Sequence, residues 1–344
     1  MNPNAVKEPL IQVEGLKVSF HVSEGVVHAL EDVSFTIARG QTLAVVGESG
    51  CGKSVTSQAI MQMVPSPGRI DAGSVTYYRH RPGQEPECID ITRLKPDSDA
   101  ICKIRGNEIA KIFQEPMTSL SPVHTIGDQI MEAIRLHQNV DAAEARRRAV
   151  DMLKRVGFPQ PEQRVDAYPH QLSGGLRQRA MIAMALSCNP ALLIADEPTT
   201  ALDVTTEAQI LRLMRVLQAD LGMAILFITH NLGVVAEMAD DVVVMYLGRD
   251  VESAPVDDIF YAPKHPYTQA LLRSIPHIGK KLDGDLYTIM GSIPDPLHIP
   301  RGCPFHPRCP VVKAGLCDQD RPVPLVQVGP KHAVRCWLYA EEVA

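Results

Sequence analysis

Aromatics are scarce in this 344-residue chain, at 5% with a single tryptophan, and positive charge is not in excess. Lys and Arg number 34 against 40 Asp and Glu, a net charge of −6. The basic face with which proteins usually meet nucleic acid or anionic membranes is therefore not expected. No apolar run approaches the roughly 18 residues needed to cross a bilayer. The opening segment, MNPNAVKEPLIQVEG, lacks a basic stretch followed by an apolar one, so no secretory signal is expected and the chain should stay in the cytosol. No internal repeat is found, which points to one functional unit and not two fused copies. What remains is ordinary globular composition, 45% hydrophobic and 22% charged, with length for a large domain and a smaller one.

There is also no Cys-x-x-Cys pair. Cys51, Cys88, Cys102 and Cys188 are scattered, whereas Cys303, Cys309, Cys317 and Cys336 fall together near the end, separated by five, seven and eighteen residues. In a reducing compartment such a group points to a metal site before a disulfide framework.

Short apolar runs alternate with helical periodicity. LIQVEGLKVSF (10–20) and VVHALEDVSFTI (26–37) read as strands, and TLAVVG (42–47), EIAKIFQ (108–114), ALLIAD (191–196), MAILFIT (223–229) and DVVVMYL (241–247) as buried strands. Helices are expected from Gly52 to about Met63, within 126–156, over 173–188 and over 204–220; residues 65–107 read as loops and short strands. Strands alternating with helices indicate an α/β fold with a parallel sheet. From Pro255 to Pro330 the character changes: 13 of the 27 prolines lie there, interrupted by one amphipathic helix, TQALLRSI. A separate, loop-rich C-terminal region is expected.

Gly47-Glu48-Ser49-Gly50-Cys51-Gly52-Lys53-Ser54 fits the G-x-x-x-x-G-K-[ST] phosphate loop, between an expected strand and an expected helix. Phosphates need many donors at close range. Glycines let backbone N–H groups turn inward as an anion nest, and the following helix adds its dipole. Lys53 would reach the β- and γ-phosphates and Ser54 would ligate Mg²⁺. Asp196 and Glu197 end a buried strand, the sheet edge where open α/β folds bind ligands. Asp196 would hold Mg²⁺ through water, and Glu197 would act as general base toward an attacking water.

Leu172-Ser173-Gly174-Gly175-Leu176-Arg177-Gln178-Arg179 separates the chain from other phosphate-loop proteins. Ser173, Gly174 and Gly175 open an expected helix and so offer free N–H groups to an anion. Together with Gly47–Ser54, Asp196-Glu197 and Ile228-Thr229-His230, this segment resembles the ATP-binding subunits of ABC transporters over roughly residues 10–250. The resemblance implies a parallel core sheet with an antiparallel β subdomain, an α-helical subdomain at about 115–172, and a Pro/Cys-rich extension. The expected division is 8–255 and 256–344. It further implies two ATP molecules sandwiched between two such domains, each signature serine and glycine pair facing the partner's γ-phosphate. By the same matching, Gln114 lies in the glutamine loop that senses Mg²⁺ and water, and His230 contacts the γ-phosphate. Ala201-Leu202-Asp203 crosses the dimer interface, and Phe20 stacks on adenine. Leu176 departs from the glutamine common in the family.

Two tail segments resemble the oligopeptide/dipeptide, or peptide/nickel, importer branch: Tyr261-Ala262-Pro263-Lys264-His265-Pro266-Tyr267-Thr268-Gln269-Ala270-Leu271-Leu272, and Cys303-Pro304-Phe305-His306-Pro307-Arg308-Cys309-Pro310. This branch implies an ATPase at the cytoplasmic face of the inner membrane. Its partners are two transmembrane permeases, a second identical or related ATPase, and an extracytoplasmic substrate-binding protein; no nucleic acid is expected. Cargo could be di- or oligopeptide, nickel, opine or oligosaccharide; a soluble ABC ATPase acting on nucleic acid is the competing class. Four thiolates suit tetrahedral Zn²⁺ or an iron–sulfur cluster. The loose spacing and the resemblance favour a 4Fe-4S cluster, with Zn²⁺ and unliganded or disulfide-bonded thiols as alternatives.

Overall fold

A computed structural model of the chain describes residues 8–81, 83–114, 119–200, 202–275 and 289–340. The strands are β1 (Pro9–Val22), β2 (Gly25–Ala38), β3 (Thr42–Val46), β4 (Gly68–Arg79), β5 (Glu87–Asp90), β6 (Ile109–Ile112), β7 (Leu192–Asp196), β8 (Ala224–Thr229), β9 (Asp241–Tyr246), β10 (Arg249–Pro255), β11 (Val326–Gly329) and β12 (His332–Val334). Each apolar run read as a buried strand forms one. β3, β7 and β8 are buried along their whole length, as parallel strands covered on both faces must be.

The chain forms two compact units, each assembled from segments distant in sequence. One takes in Ile37–Thr42 and Tyr77–Ile228, with residues up to Ile11; the other takes in Gln12–Thr36, Leu43–Thr76 and the chain from Thr229 onward.

In the first unit β8, β7 and β6 lie side by side and run parallel, with Ala195 opposite Ile112 and Asp196 opposite Ile228. The helices Ile126–His137, Ala142–Arg155 and Gly174–Leu186 pack on one another. Thr125 starts the first of these with a capping box, its hydroxyl accepting from the Asp128 N–H at 3.1 Å while the Asp128 carboxylate accepts from the Thr125 N–H.

In the second unit the strand order is β11-β12-β10-β9-β3. β3 and β9 are parallel, while β9·β10, β10·β12 and β12·β11 are antiparallel. β2, β1 and β4 form part of a separate sheet. The core of this unit joins Val46, Val242 and Val244 to an aromatic cluster of Tyr246, Tyr267 and Phe305, with ring centroids 4.7–5.4 Å apart. The proline-dense tail thus inserts Tyr267 and Phe305 into the apolar core beside β9.

One expectation needs correction. The segment read as loops and short strands contains the twelve-residue β4, whose residues are half-exposed or exposed, with only Val75 and Tyr77 buried. A polar, glycine-bearing strand of this kind lacks a clean period of two. Within the loop-rich tail β11 and β12 continue the sheet past β10; runs of three and four residues are too short to show periodicity.

Candidate ATP site

β3 delivers the chain into the phosphate loop, and two glycines are required there by close approach. A Cβ on Gly47 (φ +157°) would lie 2.2 Å from the Met245 carbonyl oxygen. One on Gly52 (φ +102°) would lie 2.7 Å from the Ala29 carbonyl oxygen. Gly50 also has positive φ but faces open space, and Ser49 and Ser54 are exposed or half-exposed. The helix Lys53–Ile60 follows with no acidic residue in its first turn, which leaves its dipole unopposed toward an anion. Lys53 is buried, and its ammonium donates to the carbonyls of Gly47 (2.8 Å) and Glu48 (3.1 Å). The charge is held over the loop that the sequence assigned to phosphates. Cys51 beside it is buried, and burial pushes its thiol up against the opposing pull of Lys53.

Asp196 and Glu197 stand at the end of β7, as expected. Asp196 is buried and paired with Lys111 of β6 at 2.9 Å. Glu197 adopts a left-handed backbone (φ +48°), its N–H donating to the Ile228 carbonyl at 2.9 Å. That turn sends its carboxylate to Gln114, whose amide donates to Oε2 at 3.0 Å, and to Thr200, whose hydroxyl donates to the same oxygen at 3.1 Å. Two residues 83 apart in sequence, proposed as base and water sensor, are therefore in direct contact. Ser54, Asp196 and Gln114 each carry an oxygen of the hard kind that Mg²⁺ takes as a ligand.

The helix Gly174–Leu186 begins at the signature. Ser173 occupies its N-cap but makes no capping bond, and Ser173 and Gly174 are exposed. Nothing lies within 4 Å of where a Gly174 Cβ would be, whereas a Gly175 Cβ would meet Thr206 at 2.9 Å. The first turn is an open array of N–H donors. Gln178, fully buried one turn in, donates to the Pro198 carbonyl at 2.5 Å and so ties this helix to the loop after Glu197.

His230 is exposed immediately after β8. Asp203 is an N-cap: its carboxylate accepts from the Thr206 N–H (2.9 Å) and hydroxyl (2.8 Å), and these bonds hold it below the ordinary carboxylate range. Phe20 packs so close to Gly68 that a Cβ there would lie 2.6 Å from its ring. Ala201 and residues 115–118 lie outside the described residues.

Cys303, Cys309, Cys317 and Cys336 line one small cavity with His265, Phe305 and Trp337. The Cys303 N–H donates to the Cys317 carbonyl at 2.8 Å. Burial, with Cys317 and Cys309 adding, pushes the Cys303 thiol up to about 11, and burial likewise pushes Cys336 up to about 12. The indole N–H of Trp337 is buried without an acceptor. Among the described residues no group of three or more His, Cys, Asp and Glu converges as the ligands of a metal ion.

Sequence reasoning missed Lys111, Tyr267 and Arg308. A lysine in the middle of the apolar strand IAKI was the available signal for the first.

Residues 30–200 match the ABC transporter family, and residues 251–317 match the oligopeptide/dipeptide transporter C-terminal region. An oligopeptide transport ATP-binding protein of Bacillus subtilis is 51% identical over 336 residues, 97% of this chain and 98% of that protein. A peptide import ATP-binding protein of Brucella abortus is 49% identical over 344 residues, 98% of this chain and 99% of that one. A solved dimeric ATP-binding cassette in a post-hydrolysis state with ADP and phosphate covers 72% of this chain and 99% of its own length, at 26% identity and TM-score 0.62. The chain therefore belongs to the ATP-binding cassettes of ABC transporters, enzymes that hydrolyse ATP to drive transport. Within them it falls in the oligopeptide/dipeptide importer branch.

Proposed function

We propose that this chain powers uptake of di- and oligopeptides as one of two ATPase subunits docked on a pair of transmembrane permeases, at the cytoplasmic face of the inner membrane. An extracytoplasmic binding protein supplies the cargo. Among the described residues no helix is long and apolar enough to cross a membrane. Separate membrane partners suit that.

Gly47 to Ser54 cradle the nucleotide phosphates, with Lys53 on the β- and γ-phosphates and Phe20 against adenine. Ser54, Asp196 and Gln114 would hold magnesium, which would supply charge neutralisation. Glu197 takes a proton from the water that attacks the γ-phosphorus, as the bond to the bridging oxygen breaks and ADP leaves. Gln114 orients the same water from its contact with Glu197, and His230 meets the γ-phosphate. The reading rests chiefly on the open helix start at Ser173-Gly174. A second anion-binding end, beyond the one at Lys53, serves a partner's γ-phosphate, with Gly175 beside it and Asp203 at the interface. The ATPase part of the chain ends at about residue 255, and the importer-type C-terminal part follows.

The test is reconstitution of the ATPase with its permeases in vesicles. Peptide-stimulated hydrolysis and peptide accumulation are expected. Stimulation by nickel, opine or oligosaccharide alone would transfer the cargo assignment. Tight, salt-sensitive DNA binding would overturn the importer reading in favour of a nucleic-acid ATPase.

The four tail thiols are assigned to a 4Fe-4S cluster. They face one cavity, the resemblance of the tail to the importer branch favours a cluster over Zn²⁺, and Trp337 offers an unused N–H that a cluster sulfide would accept. A brown protein absorbing near about 400 nm after anaerobic purification is expected. Colourless, zinc-loaded protein would overturn the assignment.

A further inference from the structure

A carboxylate is an unexpected side chain inside a loop built to attract phosphates, yet the second position of the loop is Glu48. The structure shows how that charge is handled. Both Glu48 carboxylate oxygens accept from the Arg308 guanidinium, at 2.8 and 3.1 Å. The Glu48 N–H donates to the Tyr267 hydroxyl at 2.9 Å. Its carbonyl accepts from Lys53 at 3.1 Å. Glu48 is thus held at carboxylate, amide and carbonyl, and two of the three holds come from the C-terminal tail.

Arg308 is built for the task. Its side chain is 4% exposed. Its Nε donates to the Met290 carbonyl at 3.1 Å, and its guanidinium lies 5.8 Å from the centroid of the Tyr246 ring. Every edge of the fork is engaged, a geometry that lysine does not reproduce. Arg308 closes the short turn His306–Arg308, which lies between Cys303 and Cys309. The turn that presents two thiols to the cavity therefore also grips the phosphate loop.

We propose that Arg308 and Tyr267 are positioning residues for ATP: Arg308 neutralises Glu48 and, with Tyr267, fixes the loop backbone in its phosphate-binding form. This rests on the assignment of Gly47–Ser54 to the nucleotide phosphates. Binding of MgATP to the full-length chain is measured first for wild type and Lys53→Ala. If those two bind alike, that assignment fails, independently of Arg308.

Arg308→Gln is expected to weaken MgATP binding and raise KM by about 10-fold, with kcat at saturating ATP within about 2-fold, the size of effect typical for removing a group that orients a ligand-binding residue. Adding Glu48→Gln removes the uncompensated charge and should restore most of the affinity, which a purely structural role for Arg308 would not allow. Arg308→Lys, keeping the charge without the fork, should fall between. Tyr267→Phe should raise KM in the same way and serves if Arg308→Gln does not fold. Arg308→Gln or Tyr267→Phe binding MgATP as wild type does would overturn the proposal, as would a folded Arg308→Gln that Glu48→Gln fails to relieve.

Discussion

Lys111 and Asp196 face each other at 2.9 Å across β6 and β7, with side chains only 6% and 5% exposed. The acid expected to hold magnesium is thus already matched by a cation that the same sheet supplies. Removing one partner strands the other charge in the interior, so Lys111→Met should destabilise the protein by about 3 kcal/mol. Urea unfolding of Lys111→Met, Asp196→Asn and the double variant reads this out: the double should be less destabilised than the sum of the singles.

Glu197→Gln keeps a hydrogen-bonding group beside Gln114 and Thr200 but removes the base. Its kcat should fall by about 100-fold or more while MgATP binding persists. Single-turnover hydrolysis together with equilibrium nucleotide binding separates the two quantities; unimpaired turnover would assign the proton acceptor elsewhere.

Gly174→Asp places a negative charge on an open helix start with space around it. The fold and nucleotide binding should be unaffected, while ATPase activity drops by about 100-fold, because a phosphate no longer approaches that end. For wild type, specific activity should rise with protein concentration. A dilute monomer hydrolysing at full rate would remove the trans role of the signature.

His265 caps the helix Pro266–Arg273, its Nδ1 accepting from the Tyr267 N–H at 3.1 Å. An accepting nitrogen carries no proton, and complete burial pushes the imidazole down to about 3. The unfolded chain takes up a proton at this site below about pH 6.5 and the folded chain does not. The stabilisation is therefore fully present above pH 6.5 and is lost as pH falls from there toward about 3. His265→Asn retains a capping acceptor without the titration, so its stability should vary less over that window, as followed by the urea midpoint at successive pH values.

Much of the fold can be read from the sequence because its central strands are buried on both faces. Runs such as LLIAD and AILFIT have few ways to be satisfied except in a covered parallel sheet. The phosphate loop is legible for a related reason: Gly47 and Gly52 sit where any side chain would strike a backbone carbonyl. Contacts that join distant segments are not legible in this way. Glu197 reaches Gln114 only because β6 and β7 are neighbours in register, and Arg308 reaches Glu48 across 260 residues. Nothing in HPRCP announces a partner in GESG. The polar β4 escaped detection because it carries no clean alternation, and β11 and β12 because periodicity needs more residues than they provide.

The pairing of β12 with β10, Glu252 opposite Val334 and Ser253 opposite Ala333, has a practical side. A cassette trimmed after Pro255 would bare the rim of its sheet and leave Tyr246 without its two ring neighbours. Such a fragment would offer a sticky, ungated edge to its own copies. Anyone grafting this motor onto a foreign permease must carry the proline-rich tail along with it.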